Sequence, residues 1–127
     1  KEFALRLVGR TGTAEYGSLS VVAQTFFSVR RLLDLPPTVF FPRPEVSSTF
    51  LAFERRDIKM GDAERDSFMR FVQQAFLHRR KKLADFFRRF DMQVTGELAS
   101  VSQLRPEALT PVDFMDLFRH TKDQERP

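Results

Sequence analysis

Cysteine and tryptophan are absent from the 127-residue chain, and tyrosine occurs once. The lack of cysteine excludes disulfides, thiolate zinc sites and cysteine nucleophiles, and it is compatible with a reducing cytoplasm, where we expect the protein to act. No run approaches the roughly 18 apolar residues of a transmembrane helix, so no membrane partner is expected. The first residues also lack the basic and apolar regions of a signal peptide.

Glycine is scarce as well, and its five positions do not form a nucleotide-binding motif. Neither G-x-G-x-x-G nor G-x-x-x-x-G-K-[ST] occurs, and no serine lies in a G-x-S-x-G elbow. The two histidines, His78 and His120, have no H-E-x-x-H spacing and no cysteine partners, so no metal site is expected. The residues by themselves therefore predict no catalytic constellation and no cofactor-binding residues in this chain.

Positive charge is concentrated in one short segment. The whole chain has a net charge of +4, whereas six basic residues and one aspartate give the segment 78–90 a charge of +5. The basic residues are Arg79, Arg80, Lys81, Lys82, Arg88 and Arg89. Such a cluster favours a phosphate-rich partner, although a merely solvated helix face has the same composition.

The first part of the chain has the patterns of two helices and two strands. One helix is expected to end near Gly9, and a second to begin at a Ser18 cap. The segments 27–35 and 46–54 are typical of strands, and the proline-rich loop between them is too short for a crossover helix. The two strands are therefore predicted to be antiparallel neighbours. Because two strands do not form a stable sheet alone, this part is expected to be the end of a larger α/β domain.

The part of the chain after Gly61 is predicted to be helical. Apolar residues recur at helical spacing over 68–76 and 83–90, a short helix is expected over 94–101, and Thr110-Pro111 is a typical helix start. We therefore predict an α+β chain in which residues 1–57 form the first part and residues 62–127 form a small all-α domain.

Three segments match the motifs of one protein family in order and spacing. Tyr16-Gly-Ser-Leu-Ser-Val21 matches Y-G-x-L-S-V, and Pro36-Pro-Thr-Val-Phe-Phe-Pro-Arg-Pro-Glu-Val-Ser-Ser48 matches P-P-x-x-F-x-P-x-P-x-V-x-S. Phe76-Leu-His-Arg-Arg-Lys-Lys-Leu83 matches F-x-Q-R-R-K-x-L, with His78 in place of glutamine. In these segments the chain resembles the KsgA-type rRNA adenine N6-dimethyltransferases, and the resemblance covers nearly all of its length.

The resemblance implies a methyltransferase with a Rossmann-like sheet. Members of the family transfer methyl groups from S-adenosylmethionine to two adjacent adenines of small-subunit rRNA. Their glycine-rich cofactor loop and their Asn-(Leu/Ile)-Pro-Tyr segment precede the region matched here, and neither occurs in this chain. We therefore expect the chain to be the C-terminal portion of such an enzyme: the end of the catalytic sheet followed by the helical domain. S-adenosylmethionine would be bound by the N-terminal half, and the isolated chain would be inactive.

The resemblance also implies site residues. Phe40 matches the motif phenylalanine and would stack on the target adenine after the base leaves its helix. The alternative is a core ring beneath the loop, and Phe41 is the neighbouring competitor for the stacking role. The six basic residues of the segment 78–90 would contact RNA phosphates. For Arg79 an alternative is open, because it projects nearer the apolar side of the helix and can instead pair with a carboxylate. Tyr16 either contacts RNA or packs beneath the sheet.

Three other functions are compatible with the sequence. The related macrolide-resistance methyltransferases modify large-subunit rRNA. A non-catalytic RNA-binding module would keep the fold without methyl transfer. A helical protein-interaction domain is the third, and it leaves the basic segment unexplained.

Overall fold

The structure is a computed structural model of the chain, and it describes residues 2–39, 42, 48–77, 82–89 and 97–125. Six helices and two strands form the regular elements of these residues, and two short 3-10 turns, Pro37–Val39 and Pro106–Ala108, lie between them. In chain order the elements are α1 (Glu2–Leu7), α2 (Ser18–Phe26), β1 (Phe27–Leu35), β2 (Ser48–Arg55), α3 (Asp62–Leu77), α4 (Leu83–Arg89), α5 (Glu97–Val101) and α6 (Pro111–Glu125).

The two strands form an antiparallel hairpin, as the sequence predicts. Phe27 pairs with Arg55 at the open end, and Leu35 pairs with Ser48 at the loop end. The register shifts between Arg31 and Leu33, where Leu32 forms a bulge. The first two residues of the predicted second strand, 46 and 47, lie outside the described residues. The α+β fold class expected from the sequence is confirmed.

The hairpin exposes large apolar side chains on both of its faces. Phe50 and Phe53 are three positions apart on β2, with two residues between them, so they project to opposite sides of the sheet. They are 53% and 50% exposed, and Leu33, the pairing partner of Phe50, is 48% exposed. A sheet with one solvated face would instead alternate apolar and polar residues. Apolar side chains exposed on both faces among the described residues are typical of strands that belong to a larger sheet, which agrees with the expected end of a larger α/β domain.

Helix α2 connects the hairpin to the rest of the chain. Its N-cap is Gly17, whose N–H donates to Ser20 Oγ at 3.1 Å, so Ser18 is the first helical residue and not the predicted cap. Ser20 is fully buried, and its hydroxyl also donates to the Arg6 carbonyl oxygen. The prediction failed because glycine is also a favoured N-cap, and the Ser20 side chain at the third helical position accepts the Gly17 N–H.

One hydrophobic cluster joins α2 to the helices that follow the hairpin. Phe68 of α3 is fully buried, and its ring meets Phe26 of α2 at 5.9 Å and Phe118 of α6 at 5.4 Å, both edge to face. Such ring pairs contribute about 0.5–1.5 kcal/mol each beyond the area they bury. The cluster thus includes residues on both sides of the predicted boundary at 57–62, and the division into two domains stays a prediction.

The later helices begin where local chemistry dictates. Thr110 and Asp113 form a reciprocal cap at α6: the Asp113 N–H donates to Thr110 Oγ1 at 3.1 Å, and the Thr110 N–H donates to Asp113 Oδ2 at 3.0 Å. At the start of α4, the N–H groups of Leu83 and Ala84 donate to the carbonyl oxygens of Leu104 and Ser102. Carbonyl groups of the segment after α5 therefore accept hydrogen bonds from the first turn of α4.

Candidate nucleic-acid interface

The predicted site residues are described only in part. Phe40, Phe41 and the segment 78–81, which contains Arg79, Arg80 and Lys81, lie outside the described residues. Lys82 is described and is exposed immediately before α4. Arg89 is the last residue of α4, and its side chain lies outside the description. Stacking by Phe40 and the alternative pairing of Arg79 therefore stay predictions.

Helix α4 is amphipathic in the manner that its sequence predicts. Leu83 and Phe87 are buried in the core, whereas the Arg88 side chain is 78% exposed on the opposite side. Arg88 Nη2 lies 3.1 Å from Asp85 Oδ1 one turn earlier. An exposed pair of this kind contributes only about 0–1 kcal/mol, so a phosphate can replace the carboxylate at little cost. One side of α4 thus packs while the other presents Lys82 and Arg88 to solvent.

The basic segment 78–90 directly follows helix α3 in the chain. Helix α3 ends at Leu77, one residue before the run, and Phe76 lines a shallow pocket of about 280 Å³ beside the first turn of α2. Arg6 and Ser18 line the same pocket, together with Glu15. Arg6 and the positive end of the α2 dipole therefore lie beside the last turn of α3, with Glu15 as a local counter-charge.

Tyr16 is a core residue. Its side chain is fully buried, its hydroxyl donates to the Leu109 carbonyl oxygen at 2.6 Å, and its ring lies 6.1 Å from that of Phe76. Burial raises the pKa of Tyr16 to about 12, the Thr11 hydrogen bond lowers it by less, and Asp113 adds a smaller increase. Of the two roles left open by the sequence, packing is the one found. Two motif segments that are remote in sequence therefore touch through Tyr16 and Phe76.

Polar side-chain contacts stabilise the end of the hairpin next to the loop that contains Phe40. Arg31 forms a two-point ion pair with Asp34, and Thr49 Oγ1 donates to Asp34 Oδ1 at 2.8 Å across the strands. The Asp34 hydrogen bond raises the pKa of the Arg31 guanidinium, although desolvation opposes the shift. The turn Pro37–Val39 follows, with Val39 exposed. Cross-strand bonding to Asp34 thus anchors the base of the loop, a feature that the periodicity of the strands alone does not show.

No group of three or more histidine, aspartate or glutamate side chains in the described part of the chain is arranged to hold a metal ion. None of the helices described there is both long enough and apolar enough to cross a bilayer.

The chain matches one protein family over most of its length. Residues 1–116 match the family "Ribosomal RNA adenine dimethylase". This match covers most of the chain, which therefore belongs to the ribosomal RNA adenine dimethylase family. The family expected from the sequence motifs is confirmed.

Curated relatives and a solved structure agree with this assignment. The chain is 40% identical over 117 residues to "Ribosomal RNA small subunit methyltransferase A" of Prosthecochloris aestuarii. This alignment covers 92% of this chain and 44% of that protein. It is 35% identical over 118 residues to the protein of the same name from Thermotoga maritima, covering 93% of this chain and 40% of that protein.

A crystal structure of a dimethyladenosine transferase from Plasmodium falciparum superposes with a TM-score of 0.82 at 18% identity, over 98% of this chain and 55% of that one. At this identity the likeness shows the fold alone. The chain spans less than half the length of the two curated relatives.

Proposed function

We propose that this chain is the C-terminal portion of an S-adenosylmethionine-dependent rRNA adenine N6-dimethyltransferase that acts in the cytoplasm on two adjacent adenines of the small ribosomal subunit. The observation that carries the proposal is the family match over residues 1–116, which includes all three motif segments. The two curated relatives are both named as small-subunit rRNA methyltransferases. In this assignment the chain supplies RNA-binding and base-facing residues and is inactive alone.

The chemistry explains why such an enzyme needs a rigid loop. The lone pair of the adenine N6 amine is conjugated with the ring, so the nitrogen attacks a methyl group only when it is held in line with it. The base must also leave its stack, at a cost of a few kcal/mol. We propose that Phe40 offsets part of this cost by stacking on the extruded adenine, which is worth about 1–3 kcal/mol. The Arg31–Asp34–Thr49 contacts support the loop that carries it.

The basic segment is proposed to bind RNA phosphates. Lys82 and Arg88 are exposed beside the buried side of α4, which fixes the helix that carries them. Arg79, Arg80, Lys81 and Arg89 are assigned the same role from the family motif and the charge pattern. Double-helical RNA is recognised mainly through its shape and backbone, so a rigid cationic helix suits the substrate.

The cofactor is assigned to another part of the enzyme. A site for S-adenosylmethionine has to accept a sulfonium and an ammonium cation. A groove of about 560 Å³ among the described residues is lined by three arginines, whose positive charge opposes such cations, so it does not suit the cofactor. The N-terminal half of the enzyme is therefore proposed to bind it.

The proposal is tested by methyl transfer with the full-length polypeptide. Isolated small and large ribosomal subunits that lack adenine dimethylation are each incubated with labelled S-adenosylmethionine, and N6,N6-dimethyladenosine is measured after digestion of the rRNA. The expected product appears only in small-subunit rRNA. Product confined to the large subunit would indicate the macrolide-resistance class. RNA binding without product on either subunit would indicate a non-catalytic module.

The basic segment has a matched test. Charge reversal in Lys82→Glu with Arg88→Glu should weaken binding to small-subunit rRNA at low salt. Charge reversal at two exposed positions on other elements, Arg105→Glu with Arg119→Glu, is the control for net charge. Equal weakening in both pairs would show that the basic segment has no special contact with RNA.

A further inference from the structure

A second cationic site lies at the opposite end of α3 from the basic segment. It is a groove of about 560 Å³ between the end of α2, the open end of the hairpin and α3. Its apolar part consists of the half-buried side chains of Val22, Phe26, Phe27 and Ile58, with Met69 at the rim. The Phe26 ring packs edge to face against the ring of buried Phe68, with the two ring centroids 5.9 Å apart. The groove therefore combines aromatic and aliphatic side chains, and one of its rings is packed against the core.

Three guanidinium groups line this groove, against one carboxylate. They belong to Arg55, Arg56 and Arg65, and the carboxylate belongs to Asp57. Arg65 is fixed by two hydrogen bonds to the Met60 carbonyl oxygen, at 3.2 Å from Nη2 and 3.4 Å from Nε. The backbone sets the direction of the other two, because Arg55 pairs with Phe27 and the Arg56 N–H donates to the Phe26 carbonyl oxygen at 2.9 Å.

Two of these guanidinium groups are available to a ligand. Within the part of the chain that the structure describes, the side chains of Arg55 and Arg56 make no hydrogen bond or ion pair. Arginine presents a planar fork of donors that fits two oxygens of one phosphate, and it also stacks on flat rings. Two guanidinium groups without a partner among the described residues, together with aromatic side chains in the same groove, match the phosphate and the base of a nucleotide.

From this arrangement we propose that the groove is a second RNA-binding site, in which Arg55 and Arg56 bind backbone phosphates and the apolar side chains receive a base. This inference rests on the proposed function, because it takes rRNA as the substrate. An acidic peptide would satisfy the charges but would leave the aromatic side chains without a flat partner. The groove thus favours RNA over a protein ligand.

The groove lies near the start of α3, whereas the basic segment follows the end of this helix in the chain. Arg65 and Leu77 are twelve residues apart on α3, which corresponds to about 18 Å at 1.5 Å per residue. The basic segment begins directly after Leu77, so α3 separates two cationic sites by a fixed distance. Two separate backbone contacts orient a folded RNA more strictly than one contact does. Asp62 and Glu64 at the start of α3 limit the positive surface, and this confines RNA to the groove.

The test compares paired arginine variants of the full-length polypeptide. Arg55→Ala with Arg56→Ala removes the two available guanidinium groups, and Arg105→Ala with Arg119→Ala removes the same charge from exposed positions outside the groove. Binding to protein-free small-subunit rRNA is measured over a range of salt concentrations. Each lost phosphate contact should reduce the slope of log K against log salt by about 0.7–0.9. We expect a reduction of about 1.5 for the groove pair and less than 0.5 for the control pair.

A charge-conserving variant separates binding from folding. Arg55→Lys with Arg56→Lys keeps both phosphate charges, so most of the slope should return. A slope equal to that of the control pair in the alanine variant would overturn the proposal. A loss in the lysine variant as large as in the alanine variant would also overturn it, because charge would then not be the cause. Weaker binding of ribosomal proteins with unchanged binding of naked rRNA would identify a protein-binding groove and count against RNA.

The outcome can be distinguished from failure of the proposed function. Methyl transfer by the unaltered polypeptide tests the function, whereas the salt slopes test the groove. Normal methylation of the small subunit with identical slopes in the groove and control variants would refute the groove alone. Loss of slope in the groove variant with no methyl transfer by the unaltered protein would refute the enzyme and retain the RNA site.

Discussion

The buried Tyr16 hydroxyl makes a quantitative prediction about alkaline stability. The hydroxyl donates to the Leu109 carbonyl oxygen at 2.6 Å, and burial raises its pKa from 10.0 to about 12. The folded chain therefore favours the neutral phenol more than the unfolded chain does. The contribution of this group to stability is complete below pH 10 and is lost as the pH rises from 10 to 12.

The magnitude follows from the shift. A difference of this size corresponds to roughly 3 kcal/mol of stability, at about 1.4 kcal/mol per unit. This is a large part of the roughly 5–15 kcal/mol that stabilises a typical domain. Tyr16→Phe should remove this alkaline loss. At neutral pH the same variant should be less stable by about 1–3 kcal/mol, because a buried carbonyl oxygen loses its donor.

The assay uses the fact that Tyr16 is the only tyrosine of the 127-residue chain. Tyrosinate absorbance then reports on this side chain alone, and urea denaturation at successive pH values gives the stability. Lysine residues titrate in the same range, so the quantity to compare is the difference between the unaltered chain and Tyr16→Phe at each pH. Tyrosinate that forms near pH 10 while the chain remains folded would refute the reasoning.

Three further substitutions test other parts of the structure. Phe40→Ala in the full-length polypeptide should lower methyl transfer far more than RNA affinity; Phe41→Ala is the control, and unchanged turnover in Phe40→Ala would refute stacking. Gly9→Ala should destabilise the chain by about 1–3 kcal/mol in urea, because a Cβ there lies 3.0 Å from the Glu15 carbonyl oxygen; an unchanged midpoint would contradict this contact. Thr110→Ala should cost about 1 kcal/mol through loss of the α6 cap, with Thr110→Ser as the conservative control, and a neutral result would refute the cap.

Local signals in the sequence predict most of the elements. The strand 27–35 and the α6 start at Pro111 agree with the structure because each depends on local pattern and turn chemistry. The expected helix over 94–101 is described as Glu97–Val101. Phe68 and Phe118 are buried in the core, whereas Phe50 is half exposed because the described residues do not cover its face of the sheet.

The candidate site is less accessible to sequence reasoning, because its parts come together only through tertiary contacts. A compact basic run such as 78–82 is visible in one dimension. The arginine groove is not, since Arg55 and Arg65 are ten residues apart and are separated by acidic neighbours that lower the local net charge. The burial of Tyr16 was likewise undecidable from its motif, because its partner Leu109 lies 93 residues away. The sequence signal for the groove is the pair Arg55-Arg56 after an apolar strand, and the same pattern is typical of an ordinary solvated strand end.

The continuity of α2 and β1 connects RNA binding to the base-facing loop. Helix α2 ends at Phe26 and β1 begins at Phe27, with no residue between them. Phe26 packs on α3 through Phe68, and the far end of β1 leads into the loop that carries Phe40. If RNA binds at both proposed sites, at the groove and at the basic segment beyond the other end of α3, it would hold the helix on which Phe26 packs. The end of β1, where the loop starts, would then have a position set by packed side chains, which is the condition that alignment of an extruded adenine requires.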